Sequence, residues 1–272
     1  MNFKNTLLVA SSLSLSLVLV ITLIVLPAGA LSVGTKAAVS ASSTIGIKAE
    51  VRIATKLNDI ITRSNTEIAA RIAALNALSV RIESLKNVSV SAKTAVANSV
   101  LANTNGLSAL KSKIDADTDA SVALTDEKTI TGSYRIYALV IPQGYILAST
   151  DRIAVIAGMM TTLSTQFQAR ITGAQTVGKN VTDMQALLVD FDAKIADAKM
   201  HALAAQTGVA ALMPDFGNKT TLEVNTAAIK AARADVKVSS QDLDAARTTA
   251  KKIVKEIRSL NVKATSSATI TQ

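Results

Sequence analysis

The chain has 272 residues, of which 49% are hydrophobic and only 3% aromatic, and it contains no cysteine. The absence of cysteine excludes disulfide bonds, thiol nucleophiles and cysteine–zinc sites. With 29 Lys and Arg against 20 Asp and Glu, the formal charge is +9, which favours anionic partners, although net charge alone also serves solubility.

The N-terminal segment, residues 1–30, has the pattern of an export signal. Lys4 precedes an uncharged, mainly apolar stretch over residues 6–26, and an A-x-A cleavage pattern follows at residues 28–30. Because the apolar stretch nearly reaches the roughly 20 residues that span a bilayer, an uncleaved membrane anchor is the alternative. Both interpretations predict a secreted or extracytoplasmic protein, and no second apolar run of spanning length is expected.

Residues 45–260 are predicted to form an all-α domain. Apolar side chains recur there at heptad spacing, and glycine (11) and proline (3) are too scarce for a β-rich fold. We expect about five long helices in an elongated antiparallel bundle of coiled-coil hairpins. The flanking segments 31–44 and 261–272 are small and polar, and they are predicted to be a flexible leader and a disordered tail.

The predicted helices cover residues 47–86, 89–118, a stretch after Pro142, residues 182–213, and a stretch after Thr220. The apolar seam that follows the heptad period includes Ile68, Leu75, Ile82, Ile156, Met160, Leu163, Phe167, Leu188, Phe191, Val236 and Ile257. Arg71 also falls on a seam and is expected to reach solvent at an edge of the bundle. Capping boxes are predicted at Thr182–Gln185 and at Thr220–Glu223.

All three tyrosines lie in one short stretch, GSYRIYALVIPQGYI, residues 132–146. Pro142 suits the first turn of a helix. The apolar run before it is too short for periodicity to separate strand from helix, and its β-branched and aromatic residues favour an extended conformation. We therefore expect an extended or irregular connector at 133–142. The tyrosines are interpreted as a joint that plugs the end of the bundle, rather than as a binding site.

The segment KIDADTDASVALTDE, residues 113–127, has a weak resemblance to a calcium-binding loop. Loop positions 1, 3, 5 and 12 would be filled by Asp115, Asp117, Asp119 and Asp126. Ala120 stands where the sharp turn needs glycine, and Asp126 is shorter than the usual bidentate glutamate. The favoured interpretation is therefore an acidic helix end that leads into a loop, and no cofactor is expected.

The last predicted helix carries a basic stripe that could bind an anionic polymer. Its members are Arg247, Lys251, Lys252, Lys255 and Arg258. The favoured alternative is a solvated helix face, because cations are also stabilising near a helix C-terminus. The single histidine, His201, has no second histidine or cysteine to join it, so an enzyme is not predicted.

Four segments resemble exported coiled-coil proteins of ultra-small candidate-phylum bacteria. They are LKSKIDADTDA, ITGSYRIYALVIPQGYILASTDRI, QARITGAQTVGKNVTDMQALLVDFDAKIADAK and ARTTAKKIVKEIRSL. The resemblance covers roughly residues 45–260. It implies a bacterial source and an envelope or extracellular location, and it implies no activity, cofactor or site residue.

Together these features predict an exported, non-enzymatic coiled-coil protein with a structural or binding role at the cell envelope or outside the cell. The alternative is a basic surface protein that binds nucleic acid or an anionic envelope polymer through its C-terminal helix. Helical seams left exposed would favour a homo-oligomer, and the basic stripe would favour an anionic polymer or a membrane surface.

Overall fold

The structure, a computed structural model, describes the backbone of residues 35–269 and the side chains of residues 48–260. Within these residues the fold is all-α, as predicted. Six helices are present: α1 (Thr35–Ser84), α2 (Val90–Asp115), α3 (Ala120–Gly132), α4 (Val140–Thr176), α5 (Thr182–Ala210) and α6 (Lys219–Thr269). The export signal predicted for residues 1–30 lies outside the described residues.

The helical region is longer at both ends than the sequence analysis predicts. Helix α1 begins at Thr35, inside the segment 31–44 predicted as a flexible leader, and α6 continues to Thr269, inside the predicted tail 261–272. Both stretches lack glycine and proline between these limits, so nothing in them breaks a helix. By its internal contacts the chain divides after Ala49, and the cores described below belong to the unit that begins at Glu50.

Helix α3 was not predicted, and it raises the number of helices in the described residues from five to six. It is short, and it buries only Ala123, Asp126 and Ile130. Asp119 caps it, because its carboxylate accepts hydrogen bonds from the backbone N–H groups of Ser121 and Val122. A helix of 13 residues with so narrow a buried face shows too few repeats for heptad spacing to reveal it.

Two apolar clusters make up the core of residues 50–260. The first joins α1, α2 and α3 to the beginning of α4, the end of α5 and the beginning of α6, and it contains the predicted seam residues Ile68, Leu75 and Ile82. The second lies among the remaining parts of α4, α5 and α6, and it contains Phe167 and Phe191. Much of the seam predicted from the heptad period is thus buried between the helices.

The connector between α3 and α4 is irregular and not extended. The backbone N–H groups of Ala138 and Leu139 both donate to the carbonyl of Arg135, at 2.9 and 3.1 Å, and these contacts form tight turns. Helix α4 then begins at Val140, so Pro142 lies in its first turn, where its missing N–H leaves no bond unmade. The favoured extended conformation was wrong because these local bonds satisfy the backbone without a partner strand.

Arg71 holds this connector against α1, although the sequence analysis expected it to reach solvent. Its side chain is buried, Nη1 donates to the carbonyl of Tyr134 at 3.2 Å, and Nη2 lies 2.8 Å from Glu67. Its guanidinium also lies 5.0 Å from the ring centre of Tyr137. A buried guanidinium needs several partners to offset its lost hydration, and the connector supplies two of them.

The three tyrosines have different roles in the structure. Tyr134 packs inside the joint, with its ring against the backbone of Gly106 and edge-on against Phe216. Tyr137 and Tyr145 are 53% and 54% exposed, and each is covered on one side by an arginine of α1. These two rings therefore line a surface groove beside α1 rather than the interior of the joint.

The helix ends confirm one predicted turn and correct two predicted caps. Gly178, with φ of 74°, closes α4 as the N–H of Lys179 donates to the carbonyl of Ala174 at 3.0 Å. Neither capping box forms. Instead, Asn180 Oδ1 accepts a hydrogen bond from the N–H of Thr182 at the start of α5, and Asn218 Oδ1 accepts one from the N–H of Thr221 at the start of α6. Each asparagine lies two positions before the predicted threonine cap.

Helix α4 is long and apolar enough, by length and composition alone, to cross a bilayer, which the sequence analysis did not expect. The core helix of a soluble protein meets the same criterion. One side of α4 packs on the rest of the bundle through Ile153, Ala157 and Ile171, all of them buried in the second cluster. This packing buries 33% of the most apolar 18-residue window of α4, so it accounts for part of the hydropathy of the helix.

Candidate functional site

A long groove lies between α4 and α6, and we call it the α4–α6 groove. Its lining pairs Ile153 with Leu243 at one end and Ala174 with Leu260 at the other, so the two helices run in the same direction. Both helices pack on α5, which lies between α4 and α6 in the chain and runs antiparallel to both. The groove is the surface where α4 and α6 face each other without a further described helix over them.

The floor of the α4–α6 groove is apolar. In its middle stretch the floor is formed by Leu163 and Phe167 from α4 and by Ala250, Val254 and Ile257 from α6. The spacing of four and then three residues on α6 places these side chains on one helical face. This stretch is an open depression of about 470 Å³ on the surface of the bundle.

The rim of the same stretch is basic. Four cations from α6, Arg247, Lys251, Lys255 and Arg258, stand along one edge at spacings of four, four and three residues. Arg170 from α4 stands on the opposite edge. Among the described side chains that line this stretch, none is a carboxylate. This middle stretch therefore combines an apolar floor with a rim of one charge sign, which concentrates anions near it. In the adjoining stretch the groove is lined by one carboxylate, Asp244, whose Oδ1 lies 3.4 Å from Arg247 Nη1.

Lys252 does not belong to this rim, although the sequence analysis grouped it with the others. It lies near Asp190 of α5, whose carboxyl pKa is lowered chiefly by hydrogen bonds from Lys194 and Thr249 and further by the charges of Lys194 and Lys252. One residue along a helix turns a side chain by about 100°. Lys251 and Lys252 consequently point toward different neighbours, which a linear stripe of charge does not reveal.

Several predicted seam residues remain partly exposed along this groove. Of the hydrophobic residues that pack against the second cluster without being fully buried, these line the groove: Ile156, Leu163, Ala174, Val236, Val254, Ile257 and Leu260. The heptad pattern predicts that such positions are covered by another helix. In the described residues that cover is missing between α4 and α6, so the groove is an open part of the seam.

Three of the four aspartates of the calcium hypothesis have other partners. Asp115 binds Lys111 and Asn65, Asp119 caps α3, and Asp126 Oδ1 accepts a hydrogen bond from Lys113 at 2.7 Å. Within the described residues no group of three or more carboxylates or histidines is placed to hold a metal ion. This geometry gives the calcium hypothesis no support, since α3 draws Asp119 and Asp126 into structural contacts.

Asp117 provides a test of how this acidic turn affects stability. Burial of the carboxyl and the nearby charge of Asp126 raise the pKa of Asp117, so its contribution to stability is lost as the pH rises through the folded-state pKa. We expect Asp117→Asn to raise the Tm at neutral pH by about 1–2 °C, with the gain vanishing in acid below the unfolded-state pKa. Thermal unfolding followed by circular dichroism across pH measures this.

Asp119→Asn is the matched control. Hydrogen bonds from the Ser121 side chain and from the backbone of Val122 and Ser121 lower the pKa of Asp119, so its stabilisation is present at neutral pH and is lost as the pH falls. The control should therefore lower the Tm at pH 7. If both variants shifted the Tm in the same direction, the opposite effects assigned to these two carboxyls would be incorrect.

His201 and Ser239 each make a polar contact between α5 and α6. His201 Nδ1 lies 3.1 Å from Asp235 Oδ1 and joins α5 to α6, and Ser239 donates to the carbonyl of Ala198 between the same helices.

No protein-family model, no curated protein and no solved structure matches the chain. The geometry of the α4–α6 groove is therefore the feature from which a function is proposed.

Proposed function

We propose that this chain is an exported, non-enzymatic coiled-coil protein that binds an anionic partner along the α4–α6 groove, at the cell envelope or outside the cell. The observation that carries the proposal is the rim of the groove. Five cations from two helices border one apolar surface, and no described carboxylate lines that stretch. Such an arrangement is more specific than a net charge of +9, which a solvated surface could also produce.

Electrostatics explains why the rim should bind rather than only solubilise. Arg247 and Arg258 are 11 residues apart on one helix, so the α6 edge extends over roughly 16 Å. Like charges held this close repel one another unless an anion lies between them. The apolar floor excludes water from one side, which strengthens the attraction of any anion that is held against it. The partner therefore gains from several cations at once.

Nucleic acid is the narrower alternative among anionic partners, and the groove offers it little beyond charge. Proteins that bind single strands usually stack bases on exposed aromatic rings. The one aromatic side chain on this floor, Phe167, is 4% exposed. A nucleic acid would accordingly bind through its phosphates alone and without base preference.

Charge reversal on α6 tests the proposal. We expect the double variant Lys251→Glu/Lys255→Glu to lose about tenfold or more in affinity for heparin, used here as a generic polyanion, and to elute from a heparin column at clearly lower salt. Removing cations from a binding site also flattens the dependence of affinity on salt concentration. Titration calorimetry at three salt concentrations measures both effects.

Lys230→Glu/Lys237→Glu is the matched control, because it makes the same change in net charge on the same helix at exposed positions outside the groove. The control should retain most of the affinity for heparin. Equal losses in the two variants would show that only overall charge matters, and the proposed site would then be wrong. Circular dichroism must show both variants folded.

A further inference from the structure

We infer that the partner in the α4–α6 groove is an acidic amphipathic α-helix, which packs its apolar face on the groove floor and sets its carboxylates against the basic rim. This inference rests on the proposed function, since it specifies which kind of anionic partner the groove takes. Three features of the groove lead to it: the open seam, the length of the groove and the direction of the helices beside it.

The open seam indicates a helix rather than a polymer. Leu163, Val254 and Ile257 occupy positions of the kind that pack knobs into holes, yet they stay partly exposed. A uniformly charged polymer would contact the rim and leave this apolar floor wet. A helix with apolar residues at i, i+3, i+4 and i+7 covers such a floor and removes it from water.

The length of the groove also fits a helix. Its lining begins at Ser149 on α4 and ends at Val177, the residue that follows α4. These residues are 28 positions apart, which is roughly 42 Å at the rise of an α-helix. A small anion would occupy only one stretch of it. A partner helix of about 25 to 28 residues would fill the whole groove and meet Arg152 near one end and Arg170 near the other.

The direction of the neighbouring helices favours one orientation. Helices α4 and α6 are parallel, and α5 runs against both. A partner antiparallel to α4 and α6 opposes their macrodipoles, as α5 already does on the other side. Charge complementarity then requires acidic residues on the flank that faces Lys251 and Lys255. A second copy of this groove would bring two basic rims together, so self-association through it is disfavoured.

A peptide-binding experiment tests this inference on residues 31–272, the chain that follows the predicted export signal. The probe is a fluorescein-labelled 26-residue peptide with Leu at heptad positions a and d, Glu at the flanking positions and Ala or Gln elsewhere, used below its own self-association concentration. We expect micromolar binding by anisotropy, together with a rise in helicity. A scrambled peptide of the same composition should bind at least tenfold more weakly.

Neutral changes on the floor separate this inference from simple charge attraction. Leu163→Gln/Val254→Gln leaves the rim unchanged and alters two side chains that are only partly buried. It should weaken peptide binding at least tenfold while heparin retention stays the same. Leu101→Gln on α2, at a position 58% exposed and outside the groove, is the control and should bind the peptide as the parent does.

Each other outcome overturns the inference. Equal binding of the scrambled peptide, or no peptide binding at 100 µM with heparin binding intact, rejects the helix and leaves the proposed function standing. If the parent protein binds neither heparin nor the peptide, both the helical partner and the proposed function are rejected. Binding to phosphatidylglycerol vesicles in place of the peptide would assign the floor to a membrane surface. A dimer in light scattering that Leu163→Gln/Val254→Gln dissociates would assign it to a second copy.

Discussion

Phe191→Ala should lower the free energy of unfolding by about 3–5 kcal/mol, the largest loss that we expect from a single side chain in this protein. Phe191 is fully buried at the centre of the second cluster, and its ring lies 5.8 Å from that of Phe167 in an edge-to-face arrangement. The substitution removes the apolar contact area, breaks the aromatic pair and leaves a cavity among α4, α5 and α6. Alanine-rich helices have few larger side chains that could collapse into it.

Urea unfolding followed by circular dichroism measures the loss, with Val189→Ala on the same helix as the control. Val189 is 70% exposed, so its truncation should change stability by less than about 0.5 kcal/mol. A loss below 1 kcal/mol for Phe191→Ala would mean that the second cluster is not packed as described. Because α5 takes part in both clusters, the transition should remain single.

The heptad period was a reliable guide to the core, and the reason is physical. A seven-residue repeat records which face of a helix is apolar, whatever covers it, so Ile68, Leu75 and Phe191 could be placed inside before any packing was known. The same period could not tell whether a seam is covered. Leu163 and Ile257 carry the same pattern as the buried residues but line an open groove.

The candidate site depended on tertiary structure to a greater degree. Sequence spacing identified the cations of α6 as one stripe, yet only the position of α5 separates Lys252 from Lys251. Arg170 could not be joined to that stripe because it lies on α4, 88 residues before Arg258 in the chain. The sequence of α6 therefore identified the four cations on one edge of the rim. The opposite edge and the α4 part of the floor became known only from the tertiary structure.

For the acidic segment, the interpretation favoured from the sequence is an acidic helix end that leads into a loop, and the calcium loop is the weak alternative. Asp115, Asp117 and Asp119 alternate as oxygen ligands in a calcium loop would, but alternation in sequence produces a cage only if the chain turns sharply around the ion. Here the chain enters α3 immediately after Asp119, and Asp126 turns away to meet Lys113. Helix α3 starts at Ala120, the position where a calcium loop needs glycine and where the sequence already departs from that loop.

Gly144→Ala should destabilise the protein, whereas Gly158→Ala on the same helix should stabilise it. At Gly144 an added Cβ would overlap Leu78 Cδ1 and lie 2.9 Å from Leu78 Cγ, and Leu78 is only 4% exposed. At Gly158 nothing lies within 4 Å of the same atom. Both changes favour the helix by about 1 kcal/mol through the lost freedom of the unfolded chain, but only the first must displace a buried neighbour.

The pair isolates the cost of that close approach between α1 and α4. Overpacking typically costs about 1–3 kcal/mol. The free energy of unfolding of Gly144→Ala should therefore be lower than that of Gly158→Ala by this amount, and its Tm should be lower by roughly 2–12 °C. Since both variants carry the same gain in helix propensity, the difference between them reports the contact alone. Equal Tm values would mean that Leu78 can move aside, and α1 would then not pack tightly on α4 at this position.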